Sequence, residues 1–272
     1  MNRAFSLVEL SIVLVILGLL TGGILGGQAL IRAAELRSIS TDFNRYVTAA
    51  HTFRDKYMAL PGDMRNATKF WGAQTGSTNE GVDAACAALL NGSPATGAPT
   101  CNGDGNGQIS NDDFSGGTGA SWYEVWRAWQ HLANAGLVEG TYSGVSAHAT
   151  NFYTGEAGLN MPRSKARNGA GFAFAYLAYQ SSATTWVYPG TQGNLLRFGG
   201  GDRVDQGSLI SAEEAWNVDT KLDDGRPGTG KLRPYLSSRR SGCSTADDPN
   251  TSTYNFTSTS VNACNLMFMS GI

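Results

Sequence analysis

From Leu10 to Ile31 the chain carries no charged residue, and this apolar run constrains everything around it. As a helix, its 22 residues reach about 33 Å, enough to cross the hydrocarbon core of a bilayer. Arg3 precedes the run; Arg32, Glu35 and Arg37 follow it. A secretory signal peptide would offer a shorter apolar core and a small-residue cleavage site at its far end. Here the run passes instead into an amphipathic pattern. Ile39, Phe43, Val47, Ala50, Phe53 and Tyr57 recur at spacings of three and four and form one apolar stripe. Arg37, Asp42, Arg45 and Arg54 fall largely off it. Leu60-Pro61-Gly62-Asp63 then stops the pattern, because proline cannot continue a helix and Pro-Gly favours a turn. The expectation is one helix from about Phe5 to Tyr57. Its first half is apolar all round, and its second half has one face to bury.

A single acid, Glu9, stands at the head of the run. An ionised carboxylate in hydrocarbon costs on the order of 3 kcal/mol or more, so it needs a partner. Gly18, Gly22, Gly23, Gly26 and Gly27 add a second irregularity. Each costs about 1 kcal/mol of helix stability relative to alanine, and their four-residue spacing is the one that lets helices approach closely. Either that approach or local unwinding at the double glycines inside an assembly accounts for them.

Phe5-Ser6-Leu7-Val8-Glu9-Leu10, followed by this run, resembles the prepilin-type cleavage and methylation motif of type IV pilins and type II secretion pseudopilins. The resemblance covers about the first thirty residues. It implies that a prepilin peptidase of the inner membrane removes a leader, residues 1–4, and that the new amino-terminal Phe5 is N-methylated. Ala4 stands where the family usually has glycine. It also implies assembly of the chain with itself, as a helical homopolymer or in a mixed pilin filament, by way of pilus or secretion machinery. In that filament the charged N-terminus at Phe5 lies beside Glu9 of a neighbouring copy and sets axial register, a well-attested use of a buried charge. The competing reading of Glu9 is an interfacial side chain, snorkelling to headgroups in an ordinary single-pass anchor.

The expected fold class is α+β. A long helix (5–58, with 5–31 as membrane span and filament core) packs on a loop-rich exported head (59–272) with a small antiparallel sheet, as in pilins. The expected localisation is the bacterial inner membrane before assembly, then a cell-surface or periplasmic filament. The expected role is structural, not enzymatic. The alternative is a membrane-tethered exported binding module or enzyme that does not polymerise.

The head is rich in turns: the chain has 35 glycines. Its four cysteines, Cys86, Cys101, Cys243 and Cys264, form two sequence-local pairs. If the chain is exported, Cys86–Cys101 and Cys243–Cys264 are the natural disulfides, each stabilising by roughly 3 kcal/mol; four buried free thiols are the alternative. Ser121-Trp-Tyr-Glu124 reads as a capping box opening a helix to about Ala135, with Trp122, Trp126 and Trp129 as a core-facing aromatic stripe. Ser211-Ala-Glu-Glu214 opens a second helix to about Leu222. Gly171 to Tyr179 alternates large and small residues as a half-buried strand would. Thr185 to Tyr188 and Asn194 to Phe198 are weaker strand candidates.

The sharpest local motif runs from Asn102 to Asp113. Asn102, Asp104 and Asn106 stand at positions 1, 3 and 5 of an EF-hand-like loop, Gly107 at 6, Gln108 at the backbone-carbonyl position 7, and Asp113 at 12. Asparagine at position 1 and aspartate at 12 lower the carboxylate count, so the expected Ca2+ affinity is weak, on the order of 0.1–1 mM. A glycine-rich turn without metal is the competing reading. Asp219, Asp223 and Asp224 form a second acidic cluster, read as a helix end rather than a site. Gly225 to Leu232 mimics a phosphate-binding loop but lacks its final hydroxyl and follows a helix. A net charge of -2 without a basic run argues against nucleic acid. No nucleophile elbow, zinc-binding helix or histidine-centred triad stands in the sequence.

Overall fold

The computed structural model describes residues 7–74, 99–109, 123–147, 154–178, 187–190, 193–200, 207–235 and 242–272. Helix α1 runs Leu7–Tyr57. Its 51 residues measure about 77 Å at 1.5 Å per residue. Leu7 to Ile31 is almost wholly exposed, and no residue of the most apolar stretch is buried. The helix is therefore long and apolar enough to cross a membrane. It stays helical through all five glycines.

The second half of α1 buries Leu36, Ile39, Asp42, Tyr46, Ala49, Ala50 and Phe53. The stripe expected from spacing is thus rotated slightly. Tyr46 is fully buried where Val47 was expected, and Val47 lies at the edge. Asp42, expected off the stripe, is buried on it, with Arg45 at 3.4 Å as its counter-charge. Burial pushes the Asp42 carboxyl up from the usual aspartate range, against the pull of Arg45 and Lys165.

The head is built on an antiparallel sheet with strands β1 (Ala170–Leu177), β2 (Gly193–Gly200), β3 (Leu232–Pro234) and β4 (Leu266–Met269), in the order β1-β2-β4-β3. The α+β class and the small antiparallel sheet agree with expectation. Two strands do not come from the sequence reading. Leu266–Met269 is a four-residue apolar run without alternation, and Leu232–Pro234 ends in proline, which only an edge strand tolerates. Conversely, Val187 and Tyr188 are buried but irregular rather than strand, while Thr185 and Trp186 lie outside the described residues.

One face of the sheet meets α1 and helix α3 (Tyr123–Asn134). Tyr46 packs edge-on against Trp129 at 4.8 Å and Phe172 at 5.3 Å, and Phe43 stacks on Phe268 at 4.2 Å. The expected half-buried β1 is covered on both faces. Ala175 and Leu177 on its far side form a second small core with Val187, Leu195, Tyr235 and Met267. The alanines are small enough for loops to close over them.

Trp126 and Trp129 are core residues, as the aromatic stripe required; Ser121 and Trp122 lie outside the described residues. Helix α4 (Ala212–Leu222) carries the expected capping box, with Ser211 and Glu214 each accepting from the other's backbone N–H. Helix α2 is a single short turn, Ala67–Trp71. Cys243 and Cys264 are disulfide-bonded. Cys101 is also disulfide-bonded, and Cys86 lies outside the described residues.

Candidate metal centre

The turn that stops α1 is where the head's polar groups converge. Gly62 takes φ +88°, and a Cβ there would lie 2.3 Å from the Glu124 carbonyl oxygen, so only glycine fits. Its N–H donates to His131 Nδ1 at 3.0 Å. That fixes the ring proton on Nε2, which faces Thr100 Oγ1 at 3.1 Å and the Cys101 carbonyl at 3.2 Å. Full burial, with Arg127 nearby, pushes the His131 pKa down to about 3, so the ring is a neutral linker. Gly103 is pressed just as closely on the Asp63 backbone. The 60–64 turn is thereby wedged between α3 and the 101–107 segment.

This wedge places Asp63 beneath the predicted loop. Its Oδ1 accepts from Asn106 N at 3.0 Å and its Oδ2 from Gly107 N at 2.9 Å. Glu124, on the first turn of α3, accepts from Asp104 N through Oε1 at 3.0 Å. Carboxylate oxygens of Asp63, Asp104 and Glu124 lie within 4.8 Å of one another. Burial and the neighbouring Asp104 charge push the Asp63 carboxyl up to about 6, partly offset by the Gly107 N–H.

The predicted donors divide. Asp104 belongs to this group. Asn106 stands beside it, its Oδ1 occupied by Gln108 N at 2.7 Å and its Nδ2 donating to Asp104 Oδ2. Asn102 is buried, its Oδ1 accepting from Thr68 N at 2.9 Å, so its side chain ties α2 to the loop. Gln108 is half-exposed, with its backbone N–H on Asn106. Asp113 lies outside the described residues. Sequence reading missed Asp63 and Glu124, because it assigned one to a helix stop and the other to a capping box. The signal for Asp63 was the rigid Pro-Gly turn in front of it.

No family model, curated protein or solved structure matches the chain.

The other sequence features settle into structure. Asp223 Oδ2 accepts from the backbone N–H of Lys231 and Leu232, and Gly230 lies against the same carboxylate. The amides of the apparent phosphate loop are thus spent on an internal carboxylate. At the start of the apolar run, Glu9 is exposed on α1, and Ala4 and Phe5 lie outside the described residues.

Proposed function

We propose that this chain is a structural subunit of a type IV pilus-like filament, held in the inner membrane by α1 until it assembles through that same helix. The observation that carries the reading is the pairing of Phe5-Ser-Leu-Val-Glu9 with an exposed apolar helix that is continuous with the head's core. A helix whose first half is bare and whose second half is one wall of a folded domain suits a subunit that exchanges lipid contacts for contacts with its own copies. The glycines support the reading. A Cβ at Gly18, Gly22, Gly23, Gly26 or Gly27 would meet nothing within 4 Å, so no packing among the described residues requires them. Close approach by another helix would.

The reading places the work in assembly and adhesion rather than catalysis. Mass spectrometry of the mature chain tests its first step: processing between Ala4 and Phe5 gives an N-methylated Phe5 terminus, and a chain that retains Met1 contradicts it.

Calcium has a place in the proposal as a stabiliser of the head. The donors at Asp63, Asp104 and Glu124 are all hard carboxylate oxygens, the chemistry that Ca2+ prefers. Burial, with the neighbouring Asp104 charge adding to it, raises the Asp63 pKa, and a divalent cation would offset both effects by stabilising the ionised carboxylates. These three residues would hold the ion. Calorimetric titration of the full chain in detergent should show saturable binding in the sub-millimolar to millimolar range, lost in Asp104→Asn. No heat up to about 10 mM calcium removes the ion from the account.

A further inference from the structure

We propose that the base of the head is a membrane-seating surface, in which Trp216, Phe256 and Val261 dip into the lipid interface while the subunit waits for assembly. The inference rests on the membrane-anchored reading of α1. It begins with a pin. Arg32, the first residue beyond the apolar run, donates through Nε to Glu214 on the first turn of α4. Its Nη1 reaches Glu35 and the Ala166 carbonyl, both at 2.8 Å. The N-terminal end of α4 is thereby held at the level where α1 leaves hydrocarbon.

From that pin α4 runs along α1 away from the membrane end, since Lys221 near its far end shares a groove with Arg37, Ser40, Thr41 and Asn44. Trp216, two residues after Glu214, therefore lies near the base. Phe256 meets it edge-on, with ring centroids 5.7 Å apart. Val261 is tied to the same region through its neighbour Asn262, whose Oδ1 accepts from Arg167 at 2.8 Å. Arg167 follows Ala166, which Arg32 holds, and helps keep the Glu214 carboxylate charged.

The apolar surface of the head is unevenly distributed. Beyond α1, the exposed large apolar side chains among the described residues are Met58, Phe70, Trp216, Phe256 and Val261. Met58 and Phe70 belong to the opposite end, where Phe70 packs on Tyr57 at 5.2 Å. Of the other three, from 39 % exposed at Trp216 to 66 % at Val261, Trp216 and Phe256 meet each other and Val261 adjoins the Asn262–Arg167 contact, on the side of the Arg32 pin. Aromatic side chains with arginines beside them, at the level where a spanning helix emerges, have the composition of a membrane–water interface. The Arg32–Glu214 pin, which sets this end of the head where the exposed apolar run of α1 stops, selects lipid over a soluble partner as the occupant.

The test places photoreactive benzoylphenylalanine singly at Leu20, Phe70, Phe256 or Val261 of the full chain. The chain is then reconstituted, unassembled, in phosphatidylethanolamine–phosphatidylglycerol vesicles. All four side chains are exposed, so none of the replacements disturbs the core. Lipid adducts resolved by mass are expected at Leu20, Phe256 and Val261, several-fold above Phe70. Adducts at Leu20 alone, or cross-links from Phe256 and Val261 to a second copy of the chain, overturn the seating surface and leave the anchor standing. Absence of lipid adducts at Leu20 as well overturns both.

Discussion

Asp219 is fully buried on α4, and its Oδ2 accepts a 2.8 Å hydrogen bond from the Tyr254 hydroxyl. Burial, reinforced by Asp224 and Asp223, pushes its carboxyl up to about 7 against the pull of that hydrogen bond. The folded state therefore binds the Asp219 proton more tightly than the unfolded chain does. Its stabilising effect is complete below about pH 4 and is lost as pH rises through about 7. The loss is on the order of 4 kcal/mol. His131 acts in the opposite sense: its pKa is depressed, so its contribution is present above about pH 6.5 and fades as pH falls toward about 3. The two overlap, so each must be read from its own variant. Urea midpoints measured from pH 5 to 8 should fall more steeply in the native chain than in Asp219→Asn. Equal slopes would show that Asp219 ionises freely in the folded head.

Among the elements, α1 carries the sharpest stability test, because spacing and structure disagree over which of two neighbouring residues is buried. The structure buries Tyr46 between Trp129 and Phe172 and leaves Val47 at the rim. Tyr46→Ala should cost about 3 kcal/mol or more, and Val47→Ala about 1 kcal/mol or less. Chemical denaturation in detergent that reverses this order would restore the simpler stripe.

The three longer helices and the two longer strands were legible because their signals are local: a long period-3.6 pattern, a capping box, an alternating run. What stayed illegible depends on contacts between segments distant in sequence. Asp42 looked solvent-facing until Arg45 and the head covered it. β3 and β4 are too short to show a period and exist because each pairs with a neighbour. The metal-centre candidate was half legible. Asp104 stood in a readable motif, whereas Asp63 and Glu124 arrive from a turn and a helix that only the tertiary fold brings together.

At the scale of the whole molecule, the chain divides its chemistry along α1. The head has a closed core, two-sided sheet cover and a wedged turn at one end. The other end offers about 25 residues of bare apolar helix, counted from Leu7 to Ile31, with one acid near its tip. If assembly is the purpose of that bareness, Glu9 is the residue on which it turns, because it supplies the charge that a neighbour's N-terminus at Phe5 would meet. The most direct measurement is electron microscopy of material sheared from cells expressing either the native chain or Glu9→Ala at equal membrane levels. The account predicts filaments containing this chain in the first case and their loss in the second. Filaments of this chain that persist unchanged in Glu9→Ala, or native cells whose filaments lack the chain altogether, would contradict it.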